Sequence, residues 1–159
     1  EKDDIKFIAA NDAIVNSLNL LVNCDYHIEN CDLSLYKDRI EDNSIQLCMT
    51  SSIYSKEEES VTYEEYLENM NLMFKEVYPK VKQGGYVVLI VRDFRDIKNN
   101  RPYVECHNDI ARLGVDNGFT YQDVIIYNHN GQRGLLLQGY PKTFYVNLNH
   151  SYVIVLRKV

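Results

Sequence analysis

Residues 62–91 leave this chain little choice of fold class. Thr62, followed three positions later by Glu65, forms a capping-box pattern in which hydroxyl and carboxylate each satisfy a backbone N–H at a helix start. Tyr63, Leu67, Met70, Phe74, Val77 and Val81 then recur at intervals of four and three, a single apolar stripe down a helix. Such a stripe is core packing, not a cofactor-binding surface. Pro79 falls inside it and should kink or tighten the last turn, and Gly84-Gly85 should end the helix. Tyr86 to Val91 is then an unbroken apolar run, as expected of a central strand covered on both faces. A one-sided helix feeding a buried strand calls for a sheet with helices packed on it.

The rest of the chain extends that plan. Pro102 is expected to open a second helix, with Val104, Ile110 and Leu113 on its buried side and Gly118 closing it. Phe119–Tyr127 and Ser151–Arg157 read as strands with no helix between them, so they should pair antiparallel. Their connection, Asn128 to Lys142, holds three glycines, Arg133 and Lys142. Upstream, Ser44 to Met49 reads as a buried strand. Residues 5–9 form a short strand or the start of a helix. Asn11 or Asp12 can cap a helix carrying Ile14, Leu18, Leu21 and Val22. His27-Ile28 reads as a brief strand leading into Cys31-Asp32. The order is that of an α/β sheet, mostly parallel, with an antiparallel edge hairpin.

At 159 residues the chain is expected to be one domain, or part of one, with a real core. Glu1 in place of a methionine suggests an excised piece. No apolar run is long enough to span a bilayer and no signal peptide opens the chain, so no membrane role is expected. Cys24, Cys31, Cys48 and Cys106 show neither zinc spacing nor a C-x-x-C pair, and free thiols suit a cytoplasmic location. A net charge of −6 argues against a broadly basic nucleic-acid surface, though not against a local basic groove.

The stretch that carries chemistry is Asp42 to Tyr54, DNSIQLCMTSSIY. Its strand ends in Thr50-Ser51-Ser52 and then Tyr54, and the carboxyl end of a strand is where ligands sit in an open α/β sheet. Hydroxyls and a tyrosine there can accept hydrogen bonds and stack on a planar group; equally, the strand simply runs into a polar turn. Asp32 can bind a ribose or an adenine edge, or serve as a turn residue or helix cap. Lys56-Glu57-Glu58-Glu59 is an acidic, solvated loop that would repel a phosphate backbone. Arg92-Asp93-Phe94-Arg95-Asp96 is a second charged cluster at a strand's carboxyl end.

In order and spacing these segments resemble the DNA amino-methyltransferases, whose motif here is Thr-Ser-Pro-Pro-Tyr or Asp-Pro-Pro-Tyr. Asp32 sits where that family has its Gly-Asp. The helix into Gly84-Gly85-Tyr86-Val87-Val88-Leu89, the run Asp123-Val124-Ile125-Ile126, and Asn149 to Lys158 match its following elements. The likeness covers residues 26–158 and leaves 1–25 unassigned. The resemblance implies a Rossmann-like methyltransferase sheet with an incomplete cofactor half. The chemistry implied is methyl transfer from S-adenosylmethionine to the exocyclic amine of adenine or cytosine in DNA. Ser51 and the Ser52 carbonyl would accept the amine hydrogens, and Tyr54 would stack on the flipped base. Asp32 and Thr50 would face the cofactor.

Two departures stand out. Ser52-Ile53 replaces the paired prolines, so a looser main chain and slower chemistry are expected there. The cofactor loop Phe-x-Gly-x-Gly is absent, and no glycine precedes Gly84. That loop would come from a carboxyl-terminal segment or a second subunit. Two other readings stay open. One is a catalytically silent look-alike that binds a partner protein or nucleic acid; the other is a methyltransferase acting on RNA or another amine. If any part of the chain meets phosphates, Arg133 and Lys142 are the expected contacts. Reversing both charges should then weaken DNA binding and flatten its salt dependence by roughly 0.9 per lost contact, measured as log affinity against log salt.

Overall fold

Four strands form the main sheet, and each is placed by the element before it. The computed structural model describes residues 37–52, 61–96, 101–129, 137–138, 145–146 and 148–159. In chain order the elements are β1 (Ile45–Ser51), α1 (Tyr63–Lys80), β2 (Val81–Val91), β3 (Phe94–Asp96), β4 (Arg101–Val104), α2 (Cys106–Asp116), β5 (Thr120–Asn128), β6 (Leu137–Gln138), β7 (Tyr145–Val146) and β8 (His150–Arg157). The main sheet runs β1-β2-β8-β5; β3-β4 and β6-β7 are separate two-stranded pairs. β2 is parallel to β1, and β8 is antiparallel to both β2 and β5. Three of these strands therefore point one way, with β8 reversed between β2 and β5. The hairpin expected of the last two strands is present, with β5 as the outer strand. Residues Ile40–Val159 form one compact unit.

The capping box forms as read. Thr62 Oγ1 accepts from the Glu65 N–H, and the Thr62 N–H donates to Glu65 Oε2 at 2.8 Å. Met70, Phe74 and Val77 of the stripe are buried, and Leu67 is partly so. They meet Val87, Leu89 and Val91 of β2, Ile154 and Leu156 of β8, and Ile110 and Ala111 of α2. Gly114 lets α2 press onto the sheet, since a Cβ there would fall on Leu156 Cδ1.

Three sequence expectations need correction. The helix stops at Lys80, before the glycine pair. The carbonyls of Pro79 and Lys80 accept from the N–H groups of Asn43 and Ser44, so tertiary partners end the helix. Gly84 and Gly85 lie within β2, where pairing with β1 is irregular. Gly84 has φ +80°, and a Cβ on Gly85 would crowd the Gln46 carbonyl at 3.1 Å.

The second correction concerns Pro102. It lies in β4, paired with β3, and α2 begins only at Cys106. The third concerns the burial expected of β1. α1 and α2 pack on the same face of the sheet, as successive right-handed crossovers in one direction require. The opposite face, with Val88, Ile90, Val153 and Ile125, has no helix on it among the described residues. β1 lies at the end of the strand order and is largely exposed, Leu47 by 51% and Met49 by 62%.

Phe74 has no exposed surface and sits at the centre of the helix–sheet contact. Phe74→Ala should cost ~3–5 kcal/mol, read as a lowered midpoint in urea unfolding.

Candidate active site

The hydroxyl cluster lies at the carboxyl end of β1, beside the end of β2. Ser51, exposed, pairs with Ile90, and the Ser52 N–H donates to the Ile90 carbonyl at 3.0 Å. Thr50 is exposed and pairs with Leu89. Tyr54, Asp32, Arg133 and Lys142 lie outside the described residues.

Ser52 turns inward, and α1 receives it. Its Oγ lies 2.8 Å from the Tyr66 hydroxyl and donates to Met70 Sδ at 2.9 Å. The Tyr66 hydroxyl donates to the Ser52 carbonyl at 3.0 Å. These bonds hold the segment where the related pattern has its first proline. A proline could not make the bond to Ile90, because it has no N–H. Hydrogen bonds thus anchor Ser52 to both β2 and α1. A carbonyl oxygen has two lone pairs, so that of Ser52 retains capacity for a second donor.

A second polar cluster adjoins the first. The Cys106 thiol lies 3.9 Å from the Tyr66 hydroxyl, and Tyr63 donates to Asp109 Oδ2 at 2.9 Å. Asp93, just past β2, is only 2% exposed and accepts from Tyr103 at 2.7 Å and from the His107 N–H at 3.0 Å. The second of these bonds caps α2, whose own N-cap residue Glu105 makes no side-chain capping bond to the backbone. Burial raises the pKa of Tyr66 and Tyr63 above the ordinary phenol value, so both remain hydrogen-bond donors at any physiological pH. Burial also pushes the Cys106 thiol from 9.0 up to about 11.

Sequence reading found the strand end but not Tyr66, Asp93 or His107 as its neighbours. Tyr66 is one turn along from the stripe residue Tyr63, which marks it for packing, and nothing local points it at Ser52. Asp93 was visible only as one member of a charged cluster.

Two outcomes follow. Because the folded thiol holds its proton more tightly, Cys106 contributes stability that is whole below pH 9 and fades as pH rises toward about 11. Alkylation by iodoacetamide at pH 8 should accordingly spare Cys106 in the native protein and modify it after unfolding. Tyr66→Phe removes the hydroxyl bridging Ser52 to α1 and should cost about 1 kcal/mol in denaturant unfolding.

No family model and no curated protein matches the chain. Solved structures do. TTHA0409 of Thermus thermophilus, described provisionally as a DNA modification methylase, is 22% identical; it matches over 80% of this chain and 50% of its own, with a TM-score of 0.62. The same protein complexed with S-adenosyl-L-methionine is 20% identical over 78% of this chain and 52% of its own, with a TM-score of 0.61. The PvuII cytosine-N4-specific DNA methyltransferase is 17% identical over 97% of this chain and 49% of its own, with a TM-score of 0.63. This chain spans about half the length of each. With strands β1-β2-β8-β5 and their two helices as framework, the chain has the Rossmann-like fold seen in DNA modification methylases.

Proposed function

We propose that this chain is the target-amine half of an S-adenosylmethionine-dependent DNA amino-methyltransferase, acting on adenine N6 or cytosine N4. The observation that carries this reading is the Ser51-Ser52 strand end, held at the carboxyl edge of a methyltransferase-type sheet. The lone pair of an exocyclic amine is delocalised into the ring. Acceptors for the amine hydrogens localise it, and they matter most as the nitrogen attacks. Ser51 Oγ and the free lone pair of the Ser52 carbonyl are two such acceptors on one strand end. Tyr54 supplies an aromatic face to the extruded base in this reading.

The cofactor, when bound, supplies the electrophilic methyl group, but the described residues do not fit it. Its close approach to backbone needs a tight glycine turn. The glycines placed here have other tasks: Gly84 and Gly85 in irregular β2, Gly114 against Leu156, and Gly118 at the end of α2 with φ +97°. In this reading the glycine turn is supplied from outside the described residues, as by a second subunit. Two features support docking of such a partner beside β1. The outer edge of that strand is unpaired among the described residues, and Leu47 and Met49 are exposed on it. Open apolar edges of this kind accept strands from other chains.

One observation favours a second reading, a catalytically silent binding module. The Tyr66 hydroxyl already engages the carbonyl that should receive the amine. A methyl-transfer assay with the cofactor half supplied in trans separates the two. In a working enzyme, Ser51→Ala lowers the chemical step and leaves binding nearly intact. Tyr54→Ala weakens substrate engagement at least tenfold, since base-on-aromatic stacking is worth ~1–3 kcal/mol. In a silent module neither change has an effect. Activity gained only on Ser52→Pro with Ile53→Pro identifies a decayed enzyme. Leu47→Lys with Met49→Lys should abolish association with the cofactor half in sedimentation or pull-down, and leave the melting temperature of the chain alone nearly unchanged.

A further inference from the structure

The carboxyl end of the sheet holds a constellation that the strand-end hydroxyls do not use. His107 Nδ1 lies 2.8 Å from Asp93 Oδ1 and 2.9 Å from Oδ2, and the same carboxylate accepts from the Tyr103 hydroxyl. The imidazole lies flat on the Tyr152 ring, with centroids 3.8 Å apart and planes 12° apart. His150 stands edge-on to the same tyrosine at 4.9 Å. One ring edge and one ring face of His107 are thereby fixed, while its side chain remains 24% exposed. Nε2 makes no hydrogen bond among the described residues.

Helix capping accounts for the bond from the His107 N–H to Asp93, but any residue at that position would supply an N–H. Capping does not explain the ring. An ionised carboxylate has no hydrogen to give, so in the neutral imidazole the proton sits on Nδ1 and Nε2 carries a lone pair. Such an acceptor complements an N–H donor and has nothing to offer a phosphate oxygen. In a nucleic acid the N–H donors are on the base edges.

The placement also fits. Ser51 pairs with Ile90, and Tyr152 pairs with Val91, so the hydroxyl strand end and the imidazole's stacking partner flank adjacent residues of β2. Ser52, Tyr66 and Cys106 run between them through contacts of 2.8 and 3.9 Å, and Cys106 immediately precedes His107.

We propose that His107 is a nucleobase-contacting residue, whose Nε2, aimed by Asp93 and braced by Tyr152, accepts a hydrogen bond from a base-edge N–H of the substrate strand. The proposal rests on the reading above that this end of the sheet receives a nucleic acid. The partner it requires is unpaired or extruded bases, not the sugar–phosphate backbone.

The test uses the chain as it stands, labelled with nitrogen-15. Two-bond proton–nitrogen spectra should show His107 as the Nδ1–H tautomer. Addition of a single-stranded DNA oligonucleotide containing all four bases should move the His107 Nε2 resonance, and an abasic strand of equal length should not. In fluorescence anisotropy, His107→Phe, which keeps a ring on Tyr152 but has no lone pair, should bind the oligonucleotide about fivefold more weakly, as expected for one lost hydrogen bond. Its melting curve shows whether it is folded, and the wild-type spectra carry the test if it is not. An unmoved Nε2 resonance, an equal response to the abasic strand, or no binding of any strand would each overturn the proposal. Methyl transfer that fails while the Nε2 response persists sinks the enzymatic reading and supports this one.

Discussion

A buried lysine at the end of the chain ties together the elements that must meet before the site can exist. Lys158 Nζ donates to the carbonyls of Tyr78 and Val81 at 2.9 and 2.8 Å, to Asn43 Oδ1 at 3.1 Å, and lies 4.6 Å from the centre of the Tyr78 ring. A cation at a helix C-terminus meets the negative end of the helix dipole and the carbonyls left without intrahelical partners. Here it also binds the turn before β1, where Asn43 adopts φ +52° and its N–H donates to the Pro79 carbonyl. The Lys158 backbone completes the clamp, pairing with Gly84 and Gly85 at 2.8 and 3.0 Å. The tail of β8, the end of α1, the start of β2 and the entry to β1 thus share one set of bonds.

That clamp sits at the opposite end of the sheet from the polar clusters, and the two ends divide the work. One sets the register of β1 on β2; the other uses it. With β1 and β2 parallel and α1 crossing between them, the ends of both strands emerge together, and the first half of α1 passes beneath Ser52. Tyr66 and Met70 can then reach it from one helix face. At the next crossover Asp93 stands in for a local cap, which explains why α2 begins at Cys106 and not at the proline. Hydrogen bonds to a charged group are worth ~1.5–3 kcal/mol each, more than most neutral ones. A carboxylate that holds a helix start, a tyrosine and an imidazole together is therefore a strong determinant of geometry at this edge.

β1 is an edge strand with exposed Leu47 and Met49, and the face bearing Val88, Ile90, Val153 and Ile125 lacks a helix among the described residues. The sequence reading of β1 as a buried strand does not hold, since Leu47 and Met49 stand exposed. The Ser51-Ser52 strand end lies on that same strand, whose outer edge is unpaired among the described residues.

Local rules reached whatever depends on neighbours in sequence. The capping box at Thr62 and Glu65, the stripe as far as Val77 (its last expected member, Val81, opens β2 instead), the antiparallel partnership of β5 with β8, and the hydroxyl end of β1 were legible, because spacing alone selects which side chains share a face. Boundaries set by distant partners were not. The end of α1 depends on Asn43, Ser44 and Lys158, the start of α2 on Asp93, and the place of Gly85 in β2 on the close approach of the Gln46 carbonyl. The same holds for the site. Sequence by itself determined that a strand should end in Thr50-Ser51-Ser52 where ligands bind in such sheets. Only the tertiary structure decided that Tyr66 would hold Ser52 and that Asp93 would orient His107. Those pairs are separated by 14 residues each and meet only because helices cross back over the sheet, a proximity that no local pattern encodes.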